Sequence, residues 1–307
     1  MALHGTSAAF EPAAVERSAL RQTIADYWAL TKPEINFLIA IAIVAGFYLG
    51  CPAQRNGFPF LLLIHTLLGT LLVASGAGAL NQYAERRFDA QMRRTRRRPL
   101  VAKRLDPGSA LKFGILLASV GSIYLAVTVN ALTSLLAFAT LTSYLALYTP
   151  LKRKTPFCTV VGALSGAMPP LIGWSAATDK LSLEAWMLYG ILFLWQFPHF
   201  MAIAWMYRED YANAGYRILP NGPQIGRFMS WQALVPSLAL VPVSAGAALL
   251  AGSDVLSTGA VCVVTSALII FSARLAFRQS NLAARGLLTA SIIYLPVTYL
   301  LLMLHRS

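Results

Sequence analysis

The chain has 307 residues, of which 57% are hydrophobic and 12% charged, and its mean hydropathy is +0.61. These values exclude an ordinary soluble globular protein and place the chain in a lipid bilayer. The formal net charge of +13 is strongly basic, and in such a chain it indicates membrane orientation rather than nucleic-acid binding, so we expect no nucleic-acid partner.

Residues 1–33 are predicted to form a cytoplasmic N-terminal extension, partly disordered or lying at the membrane interface. The segment lacks the short apolar core and small-residue cleavage site of a secretory signal, although its arginines and few acids also suit a weak transit peptide. Residues 17–31 are amphipathic. Their candidate interfacial contacts are Leu20, Ile24, Tyr27, Trp28 and Leu30.

Residues 34–307 are predicted to form one polytopic domain. Uncharged apolar runs long enough to cross a bilayer lie near 35–50, 60–80, 110–128, 131–149, 157–176, 185–206, 228–250, 255–273 and 286–304. The sequence therefore predicts an all-α integral membrane protein with nine transmembrane helices.

The distribution of charge predicts which ends of these helices face the cytoplasm. With the N-terminus inside, alternate loops place 22 of the 25 Lys and Arg on the inner side, and only Arg55, Lys180 and Arg306 lie outside. This asymmetry fits the positive-inside rule, so we expect an N-in, C-out topology.

The stretch NQYAERRFDAQMRRTRRRPL, residues 81–100, follows the second span and combines acids with seven arginines. If the helix continues past Leu80, Asn81, Glu85 and Asp89 recur every four residues on one face. Such oxygen ligands suit Mg²⁺, and Arg94 and Arg98 just beyond offer forked donors to phosphate. An ordinary positive-inside loop with local salt bridges is the alternative. We expect Asp89 to be an exposed acid at the helix end.

The same stretch resembles the first aspartate-rich motif of the UbiA-type intramembrane prenyltransferases, in the form found in the branch that farnesylates heme. The matching residues are Asn81, Glu85, Asp89, Met92, Arg94, Thr95, Arg98, Pro99 and Leu100. Further matches are WALTKPEI at 28–35, YTPLKRKTPFCTVVGALSGAMPPLIGW at 148–174 and WQFPHFMAIAWMYREDYANAGYRILP at 195–220, so the resemblance covers roughly residues 28–305.

This resemblance implies nine helices around a central cavity and Mg²⁺-assisted transfer of a prenyl group from its diphosphate. In the heme branch the donor is farnesyl diphosphate, the acceptor is a vinyl group of heme b, and the product is heme O for terminal oxidase assembly. The partners would then be both substrates, membrane lipid and a downstream heme-modifying enzyme. A bacterial inner membrane is the expected location, with a mitochondrial inner membrane as the alternative.

The resemblance also assigns roles to residues outside the first motif. Asp210 would join Asn81, Glu85 and Asp89 as catalytic metal ligands. Lys152 and Arg153 would bind either the diphosphate, together with the two arginines, or a heme propionate, and a purely topological role is the alternative for both. His199 is expected either to pack or to contact heme. Tyr148 is expected to pack or to offer its ring to an allylic cation.

The second family motif is weakened in this chain, because Ala214 stands four residues after Asp210 where the superfamily usually has a second Asp. The number of metal ions is therefore left open between one and two. Two other functions remain: a sister prenyltransferase acting on a quinone precursor, and a transporter. Buried acids of a transporter should lie near the bilayer midplane, whereas these acids lie at helix ends.

Overall fold

A computed structural model of the protein describes residues 11–51, 57–220 and 222–304. All regular structure within those ranges is helical, and nine segments there are long and apolar enough to cross a membrane. The prediction of an all-α, nine-span protein is thereby confirmed. Its orientation across the membrane stays a prediction.

Seven of the nine spans each consist of one α-helix. These are α2 (Pro33–Gly50), α3 (Phe60–Asp89), α4 (Pro107–Thr128), α9 (Leu183–Met206), α11 (Gln224–Leu250), α12 (Val255–Arg278) and α13 (Asn281–Leu304). The other two are composite. One runs through α5 (Ala131–Thr142), a π-helical turn (Ser143–Tyr148) and α6 (Thr149–Leu151), and the other through α7 (Cys158–Gly166) and α8 (Pro169–Thr178).

The composite spans show two features that the apolar runs did not reveal. The break between α7 and α8 falls at residues 167–168, because Pro169 and Pro170 lack backbone N–H donors and both can be accommodated only in the first turn of a new helix. The π turn is a local widening of the helix, and such turns occur frequently at functional sites.

Small residues and hydroxyl groups hold the bundle together. A side chain at Gly46 would collide with the backbone of Pro170, so α2 and α8 approach closely there. Ser237 and Ser272 bond across α11 and α12 at 2.8 Å, and Ser244 and Tyr294 across α11 and α13 at 3.0 Å. Large apolar side chains such as Phe37 and Val127 project outward, as lipid-facing residues do.

The helices alternate in direction, and one end of the bundle gathers the charged residues. We call this the site end: it contains the end of α3, the loop 90–106, the turn after α6 and the short helix α10 (Arg208–Asn213). At this end the Arg217 N–H donates to the carbonyl of Lys152 at 2.7 Å, and Arg208 donates to Asn281 at 3.1 Å.

Helix α1 (Glu11–Leu30) precedes the bundle and is fixed to the site end. Asp26 accepts two bonds of 3.0 Å from the Arg104 Nε, and Gln82 of α3 donates to the carbonyl of Leu30 at 3.2 Å. Most of the predicted extension is thus helical, whereas residues 1–10 lie outside the described residues. Leu20, Ile24 and Trp28 are exposed along one face, whereas Tyr27 is half-buried and Leu30 fully buried.

Candidate active site

Helix α3 continues well past the apolar run and carries the acidic stripe into the protein. Asn81, Glu85 and Asp89 are 1%, 5% and 1% exposed, so all three lie on the buried face of the helix. The expectation that Asp89 is an exposed acid was wrong. The loop that follows the helix folds back over its last turn and covers the carboxylate.

The contacts made in that loop show what several residues of the first motif do. Met92 is buried in the main apolar core, and the Thr95 hydroxyl donates to the carbonyl of Asp89 at 2.7 Å. These two anchors return the chain so that Arg98 donates to the Asp89 carboxylate at 2.6 Å. A charge-assisted bond of this kind stabilises a buried carboxylate that would otherwise be costly to bury.

Glu85 has its own cation. The Lys152 ammonium donates to its carboxylate at 2.8 Å, with the side chains 12% and 7% exposed. Burial alone would lower the pKa of Lys152, but the neighbouring Tyr148 and Glu85 raise it above its ordinary value, so the lysine stays charged.

Asn81 is bonded by a lysine to which the sequence assigned no role in the site. The Lys32 ammonium donates to the Asn81 side-chain oxygen at 2.7 Å and lies 3.5 Å from the Tyr144 hydroxyl. Lys32 joins α1 to α2 with φ 54° and ψ 62°, a left-handed conformation that is unfavourable for lysine and typical of functional positions. The sequence feature that could have pointed to Lys32 is its position as an isolated cation directly before Pro33, at the start of a span.

Burial lowers the pKa of Lys32, and the nearby Arg98 and Lys152 act in the same direction. We call Lys32, Asn81, Glu85, Asp89, Arg98 and Lys152 the polar cluster. It sets two lysines and an arginine against two carboxylates, and these donors suit an anion.

The π turn places aromatic side chains against this cluster. Lys152 lies 4.6 Å from the centre of the Tyr148 ring, and Tyr144 packs on Tyr148 at 5.5 Å. The Asn81 amide donates to the Thr149 hydroxyl at 3.2 Å, which ties α3 to the same turn. A side chain at Gly162 would strike the Tyr148 ring, so this glycine lets α7 approach.

The second motif meets the first through arginines at the edge of the cluster. The Arg93 Nε lies 3.9 Å from the Asp210 carboxylate, and Arg94 donates to the Tyr211 hydroxyl at 3.2 Å. Arg153 stacks on Phe88 at 4.1 Å. Arg94 and Arg153 are exposed, so both can reach an incoming anion.

His199 has contacts of another kind. Its Nδ1 lies 2.8 Å from the Ser291 hydroxyl of α13, and its ring stacks on Trp195 at 4.7 Å. Trp195 in turn donates to the Ser291 carbonyl at 2.7 Å. The structure therefore brings Tyr148 to the polar cluster, whereas His199 contacts side chains of α9 and α13.

Within the described ranges, no three His, Cys, Asp or Glu side chains converge in a geometry that could hold a metal ion. The carboxylates of Glu85, Asp89 and Asp210 are instead paired with Lys152, Arg98 and Arg93. The donor chemistry still fits Mg²⁺, which takes one or two carboxylates and completes its shell with phosphate oxygens and water.

Comparison with known sequences decides the family. The profile described as the UbiA prenyltransferase family matches residues 38–300. The chain belongs to the UbiA prenyltransferase family. A protein named protoheme IX farnesyltransferase from Solibacter usitatus is 45% identical over 287 residues, covering 92% of this chain and 98% of the relative. One with the same name from Koribacter versatilis is 39% identical and covers 98% and 99% of the two chains.

The fold of UbiA proteins is found again in solved structures. A UbiA homolog from Archaeoglobus fulgidus, bound to GPP and Mg²⁺, superimposes with a TM-score of 0.63 at 15% identity, covering 90% of this chain and 99% of that one. The protein is thus a multi-pass membrane prenyltransferase with the UbiA fold.

Proposed function

We propose that the protein transfers the farnesyl group of farnesyl diphosphate to a vinyl group of heme b, which gives heme O. The observation that carries the proposal is the polar cluster, where two buried carboxylates meet the half-buried side chains of two lysines and an arginine at one end of an apolar bundle. The choice of farnesyl and heme is supported by the names of the relatives that match over nearly their whole length.

Mg²⁺ would be held by Asn81, Glu85, Asp89 and Asp210 together with phosphate oxygens. When bound, the ion would supply neutralising charge to the diphosphate as it leaves. The carboxylates are paired with Lys152, Arg98 and Arg93, and Lys152 and Arg98 can turn to the phosphate oxygens when a metal takes the acids. The same side chains therefore serve both the ligand-free and the occupied site.

Four cations would bind the diphosphate: Arg94, Arg98, Lys152 and Arg153. Their charge stabilises the negative charge that develops on the leaving oxygen as the C–O bond breaks. The Tyr148 ring, next to Lys152, offers a π face to the allylic cation. The vinyl carbon of heme b forms the new C–C bond, and a water oxygen adds to the resulting cation with loss of a proton.

His199 is our candidate for heme contact. Its Nδ1 faces Ser291, and that bond orients the ring so that Nε2 points away from the hydroxyl. Imidazole nitrogen is a ligand of heme iron. The stacked Trp195 adds an apolar surface beside it.

We place the site end on the cytoplasmic side of a bacterial inner membrane, since the inner loops of the predicted topology carry most of the cations. The product would pass to a downstream heme-modifying enzyme. The first 33 residues would form a cytoplasmic extension whose helix lies at the membrane interface.

The deciding experiment incubates the purified protein with heme b, farnesyl diphosphate and Mg²⁺, followed by chromatography of the extracted hemes. We expect a farnesylated, hydroxylated heme that requires all three components. A parallel reaction replaces heme b with an aromatic quinone precursor. Prenylation of that precursor with heme left unchanged would overturn the proposal in favour of the sister activity.

A further inference from the structure

Helix α1 packs on the bundle through its C-terminal end and leaves the turn before it uncovered. Asp26 is 4% exposed, whereas residues 19–25 are all exposed. The exposed apolar side chains of Leu20, Ile24 and Trp28 follow one another at four-residue intervals, so they form a stripe along one side of the helix. Asp26 lies on the opposite side, because two residues beyond Ile24 the side-chain direction has turned by about 200°.

A basic loop lies on the side of α1 that carries Asp26. The Nε of Arg104, in the loop 90–106, donates to the Asp26 carboxylate at 3.0 Å, and its Nη2 donates to the Arg97 carbonyl at 3.2 Å. Arg97 and Lys103 are thus close to α1 through Arg104, and both are exposed. The loop therefore covers one side of the helix, while the apolar stripe faces away from it.

Three exposed cations of this region have no carboxylate partner among the described side chains: Arg21, Arg97 and Lys103. Arg21 belongs to α1 itself and lies about 60° around the helix from Ile24, at the edge of the apolar stripe. The Asp26 carboxylate is already paired with the loop. The region thus presents three uncompensated positive charges beside an apolar surface.

The arrangement matches the cross-section of a membrane surface. An amphipathic helix buries its apolar face about 5–10 Å into the boundary between headgroups and acyl chains. Since a helix with its side chains is about 10–12 Å across, a loop on its far side lies at the depth of the lipid phosphates. Lys and Arg clustered beside such a helix attract anionic headgroups.

We propose that Arg21, Arg97 and Lys103 form a binding surface for an anionic phospholipid, whose acyl chains contact the apolar stripe of α1. Lipid recognition of this kind does not depend on the proposed prenyl transfer, because none of the three residues belongs to the polar cluster. The positive-inside rule asks for cations at this end of the bundle, but it does not ask for their grouping around an apolar stripe.

The test measures which lipid collects beside α1. A bimane fluorophore is attached at position 24 of a cysteine-free protein in phosphatidylcholine nanodiscs. The discs contain equal small fractions of either brominated phosphatidylglycerol or brominated phosphatidylcholine, which quench the fluorophore on contact. An attraction of about 1 kcal/mol per cation corresponds to about fivefold enrichment, so we expect several-fold stronger quenching by the anionic lipid. High salt should abolish the difference.

Two triple variants locate the effect. Both replace three exposed cations at the site end with glutamine: the test variant at Arg21, Arg97 and Lys103, and the matched control at Arg227, Arg278 and Arg285. The preference for phosphatidylglycerol should disappear in the test variant and persist in the control. Its persistence in the test variant would overturn the inference, as would an equal loss in both variants, which is the result of diffuse charge attraction. Equal quenching by the two lipids without any of these substitutions would overturn it regardless of how the variants fold.

Discussion

The Lys152 ammonium lies 2.8 Å from the Glu85 carboxylate, and this bond joins the turn after α6 to the buried face of α3. Both partners are largely shielded from solvent. Removing one partner of a buried ion pair leaves the other charge uncompensated, which typically costs about 3–5 kcal/mol, whereas removing both is far milder.

The pair can be tested by a double-mutant cycle. We expect Lys152→Met and Glu85→Gln each to lower the free energy of unfolding in detergent by a few kcal/mol, and the double variant to lose about 1–3 kcal/mol less than the sum of the two. Prenyl transfer should be lost in all three variants. Strict additivity of the two single effects would show that the pair is not coupled.

Asp89 is expected to matter for metal and for stability alike, since it is buried and bonded to Arg98. Asp89→Asn keeps the shape and should abolish turnover with a modest loss of stability, whereas Asp89→Ala should also destabilise the protein. Turnover is measured across an Mg²⁺ titration after chelation by EDTA. Wild-type activity without any divalent ion, or normal activity of Asp89→Asn, would remove this residue from the metal site.

His199→Ala should weaken binding of heme b about tenfold while leaving farnesyl diphosphate binding nearly normal. The reason is that Ser291 and Trp195, which His199 contacts, lie outside the polar cluster. Absorbance titration with heme b and binding of labelled diphosphate measure the two separately. Ser291→Ala is the matched control, since it removes the partner of the ring and keeps the imidazole. Equal loss of both substrates in His199→Ala would identify a packing histidine.

The topology is open to a direct test. A reporter fused after Ser307 should be external, and one inserted in the loop 86–104 should be cytoplasmic. The same sidedness for both reporters would contradict the N-in, C-out arrangement. It would also remove the basis for placing the polar cluster at the inner membrane surface.

The exposed face of α1 predicts contact with lipid. Leu20, Ile24 and Trp28 are 61%, 61% and 64% exposed and follow one another at four-residue intervals. A nitroxide label at position 24, on a cysteine-free background, should be more accessible to oxygen than to a water-soluble nickel chelate. A label at Gln22, which is exposed on another face, is the control. Equal nickel accessibility at the two positions would place the helix in water.

Much of the fold could be predicted because its determinants are local. A run of apolar residues is enough to define a span, and the i, i+4, i+8 spacing of Asn81, Glu85 and Asp89 is enough to place them on one face once the helix continues. Helix α3 can continue past Leu80 because the polar residues of this part face neighbouring elements of the site end and form hydrogen bonds with them.

The remainder of the site depends on contacts between distant segments. Lys32 reaches Asn81 across 49 positions, and Lys152 reaches Glu85 across 67. Lys32 was counted among the cations that orient the chain. Asp89 was expected to be exposed because nothing in its own helix shows that the next loop folds back to cover it.

The π turn at Ser143–Tyr148 has a consequence for the phase of the chain that follows it. Each residue of an α-helix advances the side-chain direction by about 100°, and a π turn takes up one extra residue within a single wider turn, so the residues beyond it keep the direction they would have without that residue. The wider turn thus leaves Lys152 directed at Glu85. Deleting one residue inside the turn, such as Ala146, would let the segment relax to a regular α-helix with the ammonium still on the same side, whereas inserting one residue after the turn would rotate it by about 100°. The site should therefore tolerate a deletion inside this turn better than an insertion after it, although neither change touches one of its charges.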